Sequence, residues 1–224
     1  MLDIAGMPYT RTAEEVFDDW ALDYHAHGME DEHWPSVHEA FRLIPESSGH
    51  YLEVGVGNGF GLFYMATNQY RTGHCLGIDV SANMVDVTQK RIVGVDNAAV
   101  RRGEFLGFDP GPDRPDLIFS MEVFYYLADI QRGIEHAFEI LTPGGMLMIL
   151  VNYYEERVES HDWPGQLDTR MQLWSRRQYL NGLQDAGFTE VKQGLFKVSS
   201  DSAVRMQNPG TLGTWGKKPL DGPT

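Results

Sequence analysis

Tyr51-Leu52-Glu53-Val54-Gly55-Val56-Gly57-Asn58-Gly59-Phe60-Gly61, followed by Gly77-Ile78-Asp79-Val80, reads as a strand, a glycine turn, a helix and a second strand ending in a carboxylate. Leu52, Val54 and Val56 suit a buried strand, while the glycines allow positive φ and let a ligand approach the main chain where a Cβ would collide. The amides of such a turn become donors. Asp79 lies about 20 residues beyond Gly59, where the second strand of a nucleotide-binding βαβ unit sets an acid against ribose hydroxyls. A dinucleotide fingerprint G-x-G-x-x-G needs a third glycine three residues after Gly57, and that position is Phe60. The chain offers G-x-G-x-G-x-G instead, with the acid Glu53 inside the first strand.

The 224 residues suffice for one α/β domain with a well-buried core. Lys and Arg number 18 against 32 Asp and Glu, a formal net charge of −14, which phosphate backbones would repel. No nucleic-acid partner is expected. Acidic composition with more Arg than Lys also fits a salt-adapted source. Cys75 is the single cysteine, so an internal disulfide, a multi-cysteine zinc site and a redox pair are excluded. It stands at the start of a buried strand and reads as a core thiol, which fits a reducing cytoplasm. Neither a basic-then-apolar leader nor an apolar run of the ~20 residues that span a bilayer occurs, so no membrane partner is expected either.

From His50 onward strands and helices alternate, which argues for a parallel sheet covered on both faces. The expected strands are His50 to Val56, His74 to Asp79, Ala98 to Arg102, Asp116 to Ser120 and Met146 to Asn152, with later ones at Phe188 to Phe196 and Leu212 to Lys217. The expected helices are Phe60 to Gln69, Ala82 to Val93 capped by Ser81, Ile130 to Leu141 capped by Asp129, and Arg176 to Ala186 capped by Ser175. Ahead of them, Thr12 or Thr10 caps a helix from Ala13 to about His25. Trp34-Pro35 opens a second, short helix after a polar stretch. Residues 1–49 thus form an N-terminal helical cap of the same domain, 50–218 the nucleotide-binding core, and 219–224 a frayed tail.

Five parallel strands followed by a helix and two terminal strands, together with this glycine motif, resemble the class I S-adenosylmethionine-dependent methyltransferases. The likeness covers roughly His50 to Lys218. It implies an α/β fold, a seven-stranded, mostly parallel, doubly wound sheet whose last strand is antiparallel, and S-adenosylmethionine as cofactor with S-adenosylhomocysteine as product. It also implies a site at the carboxyl ends of the strands. Backbone at Gly55, Val56, Gly57 and Gly59 would lie along methionine and ribose, and Glu53 would hold the loop or meet the ammonium group through water. Asp79 would accept from both ribose hydroxyls, with Val80 and Met84 packed on the adenine. Glu104 would accept from the adenine amino group beside Phe105, and Ser120 and Met121 would follow the methionine end.

Tyr24, Tyr125, Tyr153 and His161 are the candidates for a substrate pocket. The aromatic-rich insert Tyr153 to Trp174, with Trp20, Tyr24 and Trp34, forms an expected lid over a small acceptor. Absences narrow the chemistry. Met121-Glu122-Val123-Phe124 stands where amino-directed nucleic-acid methyltransferases carry an N-P-P-Y type tetrapeptide, and one carboxylate there, Glu122, is too few for metal-dependent catechol-type transfer. His25, His27, His33 and His38, with Glu30, Asp31 and Glu32, match no common zinc spacing and read as solvated cap residues, so no metal is expected. The implied function is methyl transfer to a small molecule by in-line displacement, with no catalytic residue identified and a homodimer as a possible assembly. The alternatives are a silent module that only binds the cofactor, and an NAD(P)-dependent oxidoreductase, which Phe60 disfavours.

Overall fold

The computed structural model describes residues 9–23, 25–197 and 209–220. Seven strands, β1 His50–Val54, β2 His74–Asp79, β3 Ala98–Arg102, β4 Leu117–Met121, β5 Met146–Val151, β6 Thr189–Phe196 and β7 Thr211–Lys217, form one sheet in the order β3-β2-β1-β4-β5-β7-β6. The first five pair in parallel; β7 runs antiparallel between β5 and β6. This is the expected seven-stranded sheet with its last strand reversed. β4 is buried at all five positions, as a parallel strand covered on both faces should be. Alternate side chains feed two cores. Leu52, Val54, Ile118 and Ile149 join one, and Tyr51, Phe119, Met148 and Leu150 the other.

Seven α-helices accompany the sheet among the described residues: α1 Ala13–Ala21, α2 His25–Phe41, α3 Phe60–Thr67, α4 Ala82–Arg91, α5 Ile130–Ile140, α6 Trp163–Leu167 and α7 Arg176–Asp185. The side chains of Ser81, Asp129 and Ser175 accept from the amides of Met84, Arg132 and Gln178, so the expected caps are in place. Thr12 and Glu15 close a capping box on α1.

The N-terminal region departs from expectation. α1 stops at Ala21, four residues short of His25, and Tyr24 lies outside the described residues. α2 begins at His25 and runs through Pro35 instead of starting there. Proline inside a helix orphans the carbonyl four residues earlier, here that of Asp31; both residues are exposed, so water can satisfy it. The helix is held by Val37, Ala40 and Phe41, buried at helical spacing. β1 also ends two residues early, because the amides of Gly55 and Val56 both turn to the carbonyl of Ile78, at 2.8 and 3.0 Å.

Two hydrogen-bonded joints seat these helices. Asp18 Oδ1 accepts from Ser81 Oγ at 2.6 Å and from the amide of Asn83 at 3.2 Å, fixing α1 to the start of α4. Ser36 Oγ lies 2.8 Å from Thr211 Oγ1, which donates to Asn152 Oδ1 at 2.8 Å, tying α2 to β7 and the end of β5. No helix among the described residues is long and apolar enough to cross a membrane.

Candidate functional site

A cavity of about 700 Å³ opens at the carboxyl ends of β1, β2 and β4, roofed by α1, α2 and α6. That volume lies within the range of small-molecule sites, and the position is where open α/β sheets bind ligands.

The glycine turn forms its floor. Gly55, Gly57 and Gly59 all have positive φ. At Gly55 a Cβ would lie 2.1 Å from Val123 Cγ2, and at Gly61 one would lie 2.5 Å from Glu53 Oε1, so turn and helix approach the sheet at distances only glycine permits. Asp79, 7 % exposed at the end of β2, accepts from the amide of Gly57 at 2.9 Å through Oδ2 and from that of Ser81 at 3.0 Å through Oδ1. It therefore braces the turn and starts α4 while still facing the cavity. A carboxylate offers about four acceptor directions, so capacity remains for a ligand. Burial raises its pKa to about 6 against the opposing bonds from Gly57 and Ser81. Glu53, also buried, receives the Tyr51 hydroxyl at 2.9 Å, and burial pushes its pKa up to about 8.

Glu53, Gly55, Val56, Gly57, Asp79, Val80, Phe105, Met121 and Tyr125 all line this cavity. Six other candidates do not. Gly59 caps α3, Met84 is fully buried, Ser120 is fully buried with an unpartnered hydroxyl, and Glu104 is exposed. Phe105 turns inward as the first residue of a short 3-10 turn, 105–107, while Glu104 just ahead of that turn faces solvent. Tyr153 packs edge-on against Tyr125 at 5.3 Å from behind, and exposed His161 bonds its ring to the Glu155 carbonyl at 3.0 Å. Of the expected lid aromatics, Trp20 and Trp163 reach the cavity, whereas Trp34 packs on Phe60 and Tyr64.

Two side chains gain a place that sequence reading did not give them. Glu122 follows β4 at φ 62°, a conformation rarely held by a residue with a side chain, and lines the cavity. Its Oε2 receives the Tyr125 hydroxyl at 2.9 Å and its Oε1 the amide of Asn152. Burial raises its pKa to about 7, opposed by Tyr125, by Asn152 and by the charge of Arg157. His33 lines the cavity from α2, with Nδ1 buried and lacking a hydrogen-bond partner, and burial lowers its pKa to about 4. It is a neutral imidazole in the cavity wall, not a solvated cap residue, because α2 continues through it.

A sequence profile described as "Methyltransferase domain" matches residues 25–193. The chain belongs to the methyltransferase domain family. One chain of the complex between the Haloferax volcanii Trm112 methyltransferase activator and the putative methyltransferase is 30 % identical, with a TM-score of 0.83 over 94 % of this chain and 99 % of that one. Phosphoethanolamine N-methyltransferase 1 of Arabidopsis thaliana is 30 % identical over 142 residues, 62 % of this chain and 28 % of the relative. This chain thus spans under a third of that curated relative's length. A Haemonchus contortus phosphoethanolamine N-methyltransferase 2, in complex with phosphomonomethylethanolamine and S-adenosylhomocysteine, shares the fold at 15 % identity with a TM-score of 0.73.

S-adenosylmethionine is the cofactor of this methyltransferase domain. The residues present fit it: an acid with spare acceptor capacity at the end of β2, an aromatic ring at Phe105, and open space above Gly103, where a Cβ would meet nothing within 4 Å.

Proposed function

We propose that this protein transfers a methyl group from S-adenosylmethionine to a small molecule held under the α1–α2 roof. The observation that carries this is one continuous cavity running from Asp79 and the glycine turn to Glu122, Tyr125 and Trp163. The cofactor would supply a sulfonium methyl that an acceptor lone pair attacks in line, breaking the methyl–sulfur bond and releasing S-adenosylhomocysteine. Asp79 would accept from the ribose hydroxyls, Val80 and Phe105 would flank the base, and backbone at Gly55, Val56 and Gly57 would follow ribose and methionine, with Glu53 beneath. Met121 and Tyr125 would stand where the two ligands meet. Residues 9–49 act as a cap of the same domain, and by excluding water they hold the reactants in register, an effect worth up to ~7 to 11 kcal/mol.

The test has two arms. Calorimetry with S-adenosylhomocysteine and with NADH should show binding of the first alone; tight NADH binding and silence with the sulfur ligand would sink the assignment. A methyl-transfer screen over amine, phenol and carboxylate acceptors then separates turnover from a silent binding module. The assembly of the Haloferax chain with a methyltransferase activator supports a protein partner of that kind, which light scattering distinguishes from a homodimer. Buried Cys75, its thiol pushed up to about 12 by burial, supports a reducing cytoplasmic setting.

A further inference from the structure

Beyond the cofactor half, the cavity is walled by the rings of Phe17, Trp20, Tyr125, Tyr126 and Trp163 and carries the carboxylates of Glu122 and Glu32. Among the described residues no Lys or Arg lines it. The two cations whose charge reaches Glu122 or His33 do not line the cavity and are each held by a protein partner. Arg157 pairs with Glu159 at 2.7 Å and lies over the Trp163 ring at 5.7 Å, and Lys197 Nζ bonds the Glu32 carbonyl at 2.9 Å. His33, held neutral by burial, offers no positive charge but brings an unpartnered nitrogen. Aromatic faces and carboxylates attract cations and leave phosphates or carboxylates without a counter-charge.

Building on the methyl-donor reading above, we propose that the acceptor end of this cavity takes a small organic amine, cationic in solution, with Glu122 as its counter-charge, and rejects phosphorylated and carboxylated acceptors. The left-handed backbone at Glu122, together with the bonds from Tyr125 and Asn152, fixes the carboxylate at the end of β4 and leaves acceptor directions for an ammonium hydrogen. The proton balance is simple. The ammonium gives one proton to the carboxylate, leaving a neutral amine with a free lone pair beside a neutral acid, and the acid later returns that proton to water. Phosphoethanolamine, the acceptor named for the plant relative, carries a phosphate that nothing lining this cavity would neutralise.

The groups facing Glu122 are Tyr125 and Tyr126 from the segment after β4, Glu32 from α2, Arg157 and the Asn152 amide from beyond β5, and the buried Tyr179 of α7. As the Glu122 carboxyl protonates below about pH 7, the ammonium loses its partner. Calorimetric titration of the full chain, free and saturated with S-adenosylhomocysteine, with 2-phenylethylamine, 3-phenylpropanoate and phenyl phosphate tests this directly. The expected result is amine binding at least tenfold tighter than either anion, weakening as pH falls through 7. In Glu122→Gln amine affinity should drop at least tenfold with a flat pH profile, while affinity for S-adenosylhomocysteine stays within twofold. Glu32→Gln, on an exposed helix position, should weaken the amine several-fold and carries the test if the first variant fails to fold. Anions binding as tightly as the amine, no amine binding, or variants that lose the sulfur ligand instead of the amine would each overturn the proposal. Failure of the wild type to bind S-adenosylhomocysteine would overturn the methyl-donor reading alone, since amine selectivity is also measured on the free protein.

Discussion

Replacing Asp79 by Asn separates its two roles. The side chain keeps its shape, but one oxygen that receives the amide of Gly57 or Ser81 becomes an NH2 facing a donor, and the charge that would receive ribose hydroxyls is gone. A hydrogen bond to a charged group contributes about 1.5 to 3 kcal/mol, so losing one to the ligand should raise the dissociation constant for S-adenosylhomocysteine roughly 10- to 150-fold. Wild-type affinity should also fall as pH drops through about 6, where the carboxylate protonates, and the Asn variant should show no such inflection. Calorimetry between pH 5 and 8 reads both effects. Thermal melts of the free proteins report on the fold separately. An affinity within twofold of wild type, with the inflection unmoved, would show that Asp79 only braces the turn and refute its assignment to the ligand.

Gly55→Ala should destabilise by at least about 2 kcal/mol, combining positive-φ strain with a clash on Val123; Val123→Ala in the same chain should recover part of this in a double-mutant cycle by chemical denaturation. Thr211→Val strands the buried oxygens of Ser36 and Asn152 and should cost about 1 to 3 kcal/mol in the same assay. Burial raises the pKa of Asp79, Glu122 and Glu53 to about 6, 7 and 8, above the ordinary 3.8, 4.5 and 4.5 of solvated carboxyls, so the folded state holds protons that the unfolded chain has released. Stability of the ligand-free protein should therefore decline as pH rises from 5 to 9, which denaturation midpoints check; a flat profile would refute those three environments. The His33 ring should remain neutral down to about pH 4 in an NMR titration, at least two pH units below a solvated imidazole.

The cofactor half of the cavity was legible because its signals are local. Glycines, apolar alternation and a strand-final acid announce themselves within a few residues, and Glu53, Gly55, Gly57 and Asp79 meet at one place in the structure. The acceptor half was not, since its parts become meaningful only across the fold. Glu122 acquires its role through an amide 30 positions away, and His33 belongs to the cavity only once α2 is known to run past Pro35. That helix hid because most of its length is polar and its buried stripe is short. A short 3-10 turn separated Phe105 from Glu104, and strand phase withdrew Ser120, details that a motif match does not carry.

The antiparallel β7 has a consequence for how the protein is made. The strand lying between β5 and β6 is the last of the seven to leave the ribosome, yet its Thr211 supplies the link between α2 and the end of β5. Until residue 211 emerges, the roof of the cavity lacks that anchor and the edge of β5 stands unpaired. Nascent chains stalled before β7 should thus expose the aromatic wall and recruit chaperones, while chains extended past residue 217 should not.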